Sequence, residues 1–172
     1  MPSWMASRRG RSPVLMTREL NAATRALLIG LLGLLALAPI AAATISKDEF
    51  IRRADKVCAR SEPREQEAAT DLFRAREREQ AHSLARAAVQ LSSVHLNLAR
   101  RIRRIPDPDR DQGLARRFIR EVRKVGEIYR NASRVADAGR FAAFDKKLDA
   151  IRAHVRSARG AAHDFDFERC GH

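Results

Sequence analysis

The sequence predicts an all-α protein: an up-down antiparallel four-helix bundle with a disulfide-stapled C-terminal tail. Three observations predict it. Apolar residues make up 45% of 172 residues, enough to bury a core, yet aromatics are only 5%, with 8 Gly and 6 Pro. That is poor material for a β-sandwich or barrel, which draws on β-branched and aromatic residues and frequent turns. Apolar residues also recur every third or fourth position through three long segments, the spacing of a stripe on a helix. Finally, both cysteines, Cys58 and Cys170, lie beyond an apolar N-terminal run. A three-helix bundle with an N-terminal arm is the alternative.

Residues 1–25 read as a basic leader, with Arg8, Arg9, Arg11, Arg18 and Arg25 against Glu19. Residues 26–43 carry no polar side chain. A basic flank before an apolar run is the pattern of a secretory signal or of a membrane anchor with its N-terminus inside. Pro39 followed by Ala41-Ala42-Ala43 fits a small-residue cleavage site, with the cut after Ala43. The run would be about 27 Å long as a helix, short for a span of about 30 Å, which favours cleavage over anchoring. A start at Met16 would leave a leader of ordinary length. On either reading, residues 44–172 form an exported domain outside the cytoplasm. An oxidising compartment favours a Cys58–Cys170 disulfide; two free thiols or an intermolecular bridge are the alternatives.

The first helix of that domain opens at Ser46-Lys47-Asp48-Glu49, a capping box. Phe50, Ala54, Val57, Ala68, Leu72 and Ala75 then share one phase. Pro63 lies inside that phase and either kinks the helix or starts a new one capped by Ser61. The next stripe is Leu84, Ala87, Leu91, Val94, Leu98, Ile102 and Ile105; the third is Leu114, Phe118, Val122, Val125, Tyr129, Ala132 and Ala136; the fourth is Phe141, Phe144, Leu148, Ile151, Val155, Ala158 and Ala162. Pro106-Asp107-Pro108-Asp109 breaks the second from the third, with Asp109 or Asp111 available as N-cap. Gly139 provides a left-handed C-cap between the third and fourth. No Gly or Pro separates the first two. If the cysteines pair, however, one straight helix over 63–105, about 64 Å long, would hold them too far apart. A break at Gln80–Ser83, with Ser83 as cap, resolves this.

Charge supplies the main functional candidate. The chain carries a formal +13, and 29 of its 34 cations are Arg, which reads first as codon usage of a GC-rich genome. Residues 100–124 nonetheless concentrate Arg100, Arg101, Arg103, Arg104, Arg110, Arg116, Arg117, Arg120, Arg123 and Lys124 against Asp107, Asp109, Asp111 and Glu121. All of these but Arg110 form the candidate anion-binding set, for lipid headgroups, wall phosphates or, least of all, nucleic acid, since no aromatic stacking residues interleave. An anionic envelope polymer or lipid surface, or another protein, is the expected partner. Arg at a helix C-terminus also complements the dipole, so part of the cluster is explained without a ligand.

Other chemistry is thin. Glu79-x-x-His82 occurs once, where di-iron bundles use two copies. His95 reads as a boundary residue. The tail His163–His172 is rich in donors, but Phe165 and Phe167 docking it and Cys170 stapling it is the better reading. There is no GxSxG, Gly-rich phosphate loop or HExxH, so the expectation is no enzyme, cofactor or metal. A ligand- or metal-binding bundle and a purely structural or partner-interaction module remain the other functional readings.

The run Ala54-Asp55-Lys56-Val57-Cys58-Ala59-Arg60, the turn Asp137-Ala138-Gly139-Arg140-Phe141 and the ending Phe167-Glu168-Arg169-Cys170-Gly171 resemble small secreted or membrane-anchored helical proteins of actinobacteria. The resemblance covers residues 46–171. It implies a Cys58–Cys170 disulfide and an envelope location, and brings no activity with it.

Overall fold

A computed structural model describes residues 44–171. The leader and the apolar run, 1–25 and 26–43, lie outside the described residues. Four helices follow one another: α1 (Lys47–Glu77), α2 (Ala81–Ile102), α3 (Gln112–Asp137) and α4 (Phe141–Asp164). Their apolar stripes face inward as the 3.6-residue period dictates. Phe50, Phe118, Phe144, Leu84, Leu91, Ile102 and Val125 are fully buried. α1 contributes Phe50, Ala54, Cys58, Ala68, Leu72 and Ala75 to the core, so it is an integral helix and the three-helix alternative fails.

α1 runs unbroken through Pro63. Ser61 therefore caps nothing; its hydroxyl donates to the Cys58 carbonyl at 2.8 Å. Half of the capping box forms: Ser46 Oγ accepts from the Glu49 N–H at 3.2 Å. Glu49 does not reach back, because its carboxylate pairs with Arg52 and Arg53.

Three of the four helices stop in the same way. After α1, Gln80 N–H returns to the Ala75 carbonyl and Glu79 N–H to Arg76, with Glu79 left-handed at φ 51°. After α3, Arg140 returns to Val135 and Gly139 to Ala136, with Gly139 at φ 67°. After α4, Phe167 returns to Ala162 and Asp166 to His163, with Asp166 at φ 69°. This is the Schellman arrangement, which satisfies the last carbonyls of a helix and reverses the chain. Only Gly139 takes the left-handed position without a steric penalty. The break after α1 falls at 78–80, and α2 begins at Ala81 with Gln80 as its cap, so Ser83 lies within the first turn and is not the cap.

The backbones pack closely in sequence order, α1 on α2, α2 on α3 and α3 on α4. α2 and α3 approach closely at Gly126, where an added Cβ would lie 2.8 Å from Leu96 Cγ. The bare backbone lets Ser92 Oγ donate to the Gly126 carbonyl at 2.8 Å, a buried polar bond.

The C-terminal tail is tied to α1 at the end of the bundle where that helix starts. Cys58 and Cys170 form a disulfide with Cα atoms 5.3 Å apart, closing a separation of 112 residues. A loop of that size removes about 4–5 kcal/mol of unfolded-state entropy in the chain-entropy account. One turn before Cys58, the buried Asp55 carboxylate accepts three successive backbone N–H groups: Glu168 at 3.0 Å, Arg169 at 3.0 Å and Cys170 at 3.1 Å. Phe165 and Phe167 wedge beneath, against Phe50 and Phe118, with ring centroids 4.8 to 6.2 Å apart.

Lys47 makes the second tie. Its side chain, 10% exposed, reaches Asp111 Oδ2 at 3.0 Å and Asp166 Oδ2 at 2.9 Å and lies over the Phe165 ring. Asp111 does sit at the N-cap of α3, but with φ 57° and without a capping bond, because its carboxylate is on Lys47. Asp109 caps a different helix, accepting the Lys47 backbone N–H of α1 at 3.0 Å. Ile45 pairs its backbone with Asp107 and Asp109, which pins the 103–111 loop to the start of the domain.

Removing the Asp55 carboxylate orphans three N–H groups at once, whereas each partner of Lys47 is solvated. Asp55→Ala should therefore lower unfolding free energy by roughly 2–3 kcal/mol, measured by urea denaturation of the oxidised protein. A loss below about 0.5 kcal/mol would show that the tail is held by the disulfide and phenylalanines alone.

Candidate functional site

The basic segment is built from the last turn of α2, the 103–111 loop and the first half of α3. Pro108 is fully buried and Ile45 clamps the loop on both sides of it, so the surrounding Arg side chains stand on a fixed backbone. All nine candidate residues are exposed. Four have carboxylate partners: Arg116 with Asp107 at 2.6 Å, Arg120 with Glu121 at 3.9 Å, and Arg123 and Lys124 with Glu127 at 2.9 and 4.0 Å. Arg100 donates to Asn97 Oδ1 and Arg117 to Ser157 Oγ. Arg100, Arg101, Arg103, Arg104 and Arg117 have no ion-pair partner among the described residues.

Folding changes the charge picture read from the linear segment. α1 and the tail bring Asp48 and Asp166 to the same end, where Asp48 faces Arg110 at 3.9 Å and Asp166 holds Lys47. The very tip is thus of mixed sign. Uncompensated cation lies on the flank, at the end of α2. On α3, Arg116, Arg120 and Arg123 share one face by their spacing of four and three. Arg117 turns toward α4 instead, at Ser157. The nine residues are therefore not one patch but two flanks of one end.

Two concavities lie along α1. A cleft of 590 Å³ separates α1 from α4. The tail borders it at one end, where Arg169 pairs with Glu62 at 3.2 Å; further along α1, outside the cleft lining, Arg76 bridges to α4 by gripping Asp145 with two bonds of 2.7 and 2.9 Å. The cleft floor carries His95, which is buried and not a boundary residue. The Leu91 carbonyl can only accept, so His95 Nδ1 donates to it at 2.9 Å; Nε2 then faces Glu65 Oε1 at 3.4 Å. Tyr129 packs on the imidazole, and burial together with the Glu65 charge pushes its phenol up to about 12. A second groove, of 380 Å³, runs between α1 and α2 and includes Arg101 at its wall. The linear charge count missed Arg60 and Arg64, which line the same groove from α1; their spacing of four was the available signal.

The remaining histidine motifs are spread apart. His82 pairs with Asp137 at 3.5 Å while Glu79 occupies the helix-ending turn. In the tail, Asp166 is committed to Lys47 and His163 points to solvent beside Asp164. Among the described residues no three His, Cys, Asp or Glu side chains are gathered to hold a metal ion.

No family model, curated protein or solved structure matches this chain.

The Lys47 tie gives a pH signature. Hydrogen bonds donated to Asp166 and then to Asp111 hold the Lys47 ammonium above its ordinary 10.5, so its contribution is complete below 10.5 and is lost as pH rises through the folded value. The Lys47 hydrogen bond holds Asp166 below its ordinary 3.8, so its contribution is complete above 3.8 and is lost as pH falls through the folded value. The stability difference between the native protein and Lys47→Met should be flat from about pH 5 to 9 and shrink at both extremes. Urea midpoints across the range check this. A difference that persists unchanged at pH 2 contradicts it.

Proposed function

We propose that residues 44–172 form a non-enzymatic extracytoplasmic module that binds an anionic component of the cell envelope through the Arg-rich end. The disulfide supports an oxidising compartment, since cytosolic thiols are kept reduced. The apolar run 26–43 acts as a secretory signal cut near Ala43 or, uncut, as a membrane anchor; among the described residues no helix is long and apolar enough to cross a membrane.

One observation carries the binding reading. Among the described residues Arg100, Arg101, Arg103 and Arg104 are exposed without a carboxylate partner, at the end of α2 and on the loop that the Ile45 bridge and Lys47 tie hold in place, and Arg117 is likewise unpaired on α3. With the backbone already held, only the side chains need order on meeting an anion, and each cation contributes about 1 kcal/mol near an anionic surface.

Sedimentation with phosphatidylglycerol vesicles, set against phosphatidylcholine vesicles, tests this directly. Binding should favour the anionic vesicles and weaken as salt rises. Reversing Arg103, Arg104, Arg116 and Arg117 together to Glu should reduce affinity at least about a hundredfold, while the circular-dichroism spectrum stays that of a folded helical protein. Unchanged binding by the reversed protein would remove the basic end from the account.

A further inference from the structure

We propose that the α1–α2 groove binds a phosphorylated saccharide. Its volume of 380 Å³ falls in the size range of small-molecule sites. Three guanidiniums line it: Arg60 and Arg64, one turn apart on α1, and Arg101 on α2. None of the three side chains has an ion-pair or hydrogen-bond partner among the described residues. Like charges four residues apart on a helix repel each other, so the empty groove keeps Arg60 and Arg64 at a cost that an anion offsets. Glu67 is the only acid among the described lining residues, so three cations against one acid leave two positive charges in excess. A phosphate monoester carries about −1.5 to −2 at neutral pH and balances that excess, where a single carboxylate balances half of it.

Uncharged polar groups continue the lining. Gln90, Ser93 and Asn97 lead along α2 to Arg101 at spacings of three and four, one row on the helix surface. Gln90 and Ser93 make no side-chain hydrogen bond among the described residues. Asn97 uses its carbonyl oxygen, on Arg100 at 3.3 Å, and its amide group remains free to donate. Ala68 and Leu98 are buried and Val94 half-buried, so these form the floor, while the guanidiniums, Glu67, Gln90, Ser93 and Asn97 are exposed and form the rims. A sugar ring presents the matching surface. Its C–H faces suit the floor, and its hydroxyls can donate to Glu67 and accept from Gln90 and Asn97. An acyl chain would leave those groups without partners.

Helix register sorts these groups along the groove. Cys58 shares one core cluster with Leu98 and Ile102, and Ala68 and Leu72 share another with Ala88 and Leu91, so the two helices run antiparallel. Arg60 and Arg101 therefore belong to the disulfide end, and Glu67, Gln90 and Ser93 to the other. The row from Arg101 to Gln90 is about 16 Å long, more than one sugar ring spans. The arrangement fits a short saccharide with its phosphate at the disulfide end and its neutral hydroxyls toward Gln90. The groove stands apart from the surface patch proposed above, shares only Arg101 with it, and does not rest on that reading.

The test is calorimetric titration of the oxidised full chain with maltose 1-phosphate, with inorganic phosphate and maltose as separate arms. Saturable one-to-one binding is expected, at least about tenfold tighter than either control. The double substitution Arg60→Ala and Arg64→Ala, at exposed helix positions that tolerate Ala, should weaken it at least about tenfold. Gln90→Ala with Ser93→Ala should cut the advantage over inorganic phosphate at least about threefold and leave phosphate binding itself unchanged. The fourfold Glu reversal at Arg103, Arg104, Arg116 and Arg117 removes no groove residue. In physiological salt it should leave this binding within about threefold, which separates failure of the groove from failure of the surface patch. Equal affinity for inorganic phosphate or for maltose, no binding at all, or either double variant binding as the native protein does would each overturn the proposal.

Discussion

The carboxylate of Asp55 receives three consecutive N–H groups from the last residues of the chain, one helical turn from the cysteine that bonds covalently to the same segment. Much of the architecture at that end depends on this double attachment. The tail has no regular structure of its own to satisfy its backbone, so without a buried anion its N–H groups would have to stay in water. With Asp55 in place, the tail can cross over the end of the bundle, press Phe165 and Phe167 into the core and border one end of the α1–α4 cleft. Lys47 extends the same logic. Two aspartates in left-handed conformations, Asp111 before α3 and Asp166 after α4, meet on one ammonium at the start of α1. Short polar residues tolerate that conformation, and the shared cation gives both carboxylates a partner there.

These ties matter because α1 is the least supported helix. Its backbone packs closely on α2, but it faces α4 across an open cleft, with the Arg76 bridge further along. In a bundle with four closed seams the clasp would add little. Here it decides whether the first half of α1 stays with the rest. It also fixes the 103–111 loop, through Asp109 and Ile45, and hence the platform from which the unpaired arginines project. Structure and proposed function are linked at this point: a stapled end presents cations on a backbone that need not order on binding.

Much of this was legible in the sequence. The helix count, the stripes and the Gly139 turn follow from periodicity and from glycine's freedom at positive φ, and pairing of the two cysteines located the break after α1 near its true place. The break's own signal was hidden, because Glu79 occupies the left-handed position where glycine is the usual mark. Asp55 and Lys47 gave no sign of their roles: a lone Asp and a lone Lys on a charged helix look like solvated surface until the fold brings residues 111 and 166–170 against them. His95 looked like a boundary residue since its burial depends on α1 folding across it. The basic cluster was visible as a window of the chain, yet its division into two flanks, and the alliance of Arg101 with Arg60 and Arg64, exist only once α1 lies beside α2. Local pattern fixes helices; long-range polar contacts, which obey no period, decide what the helices present.

Amide hydrogen exchange of the oxidised and the reduced protein tests the clasp most directly. The account predicts that reduction costs residues 47–60, 105–111 and 165–171 their protection together, by one common free energy, while α2, α3 and α4 keep theirs. Loss confined to the tail with the start of α1 still protected, or a uniform loss over all four helices, would contradict it.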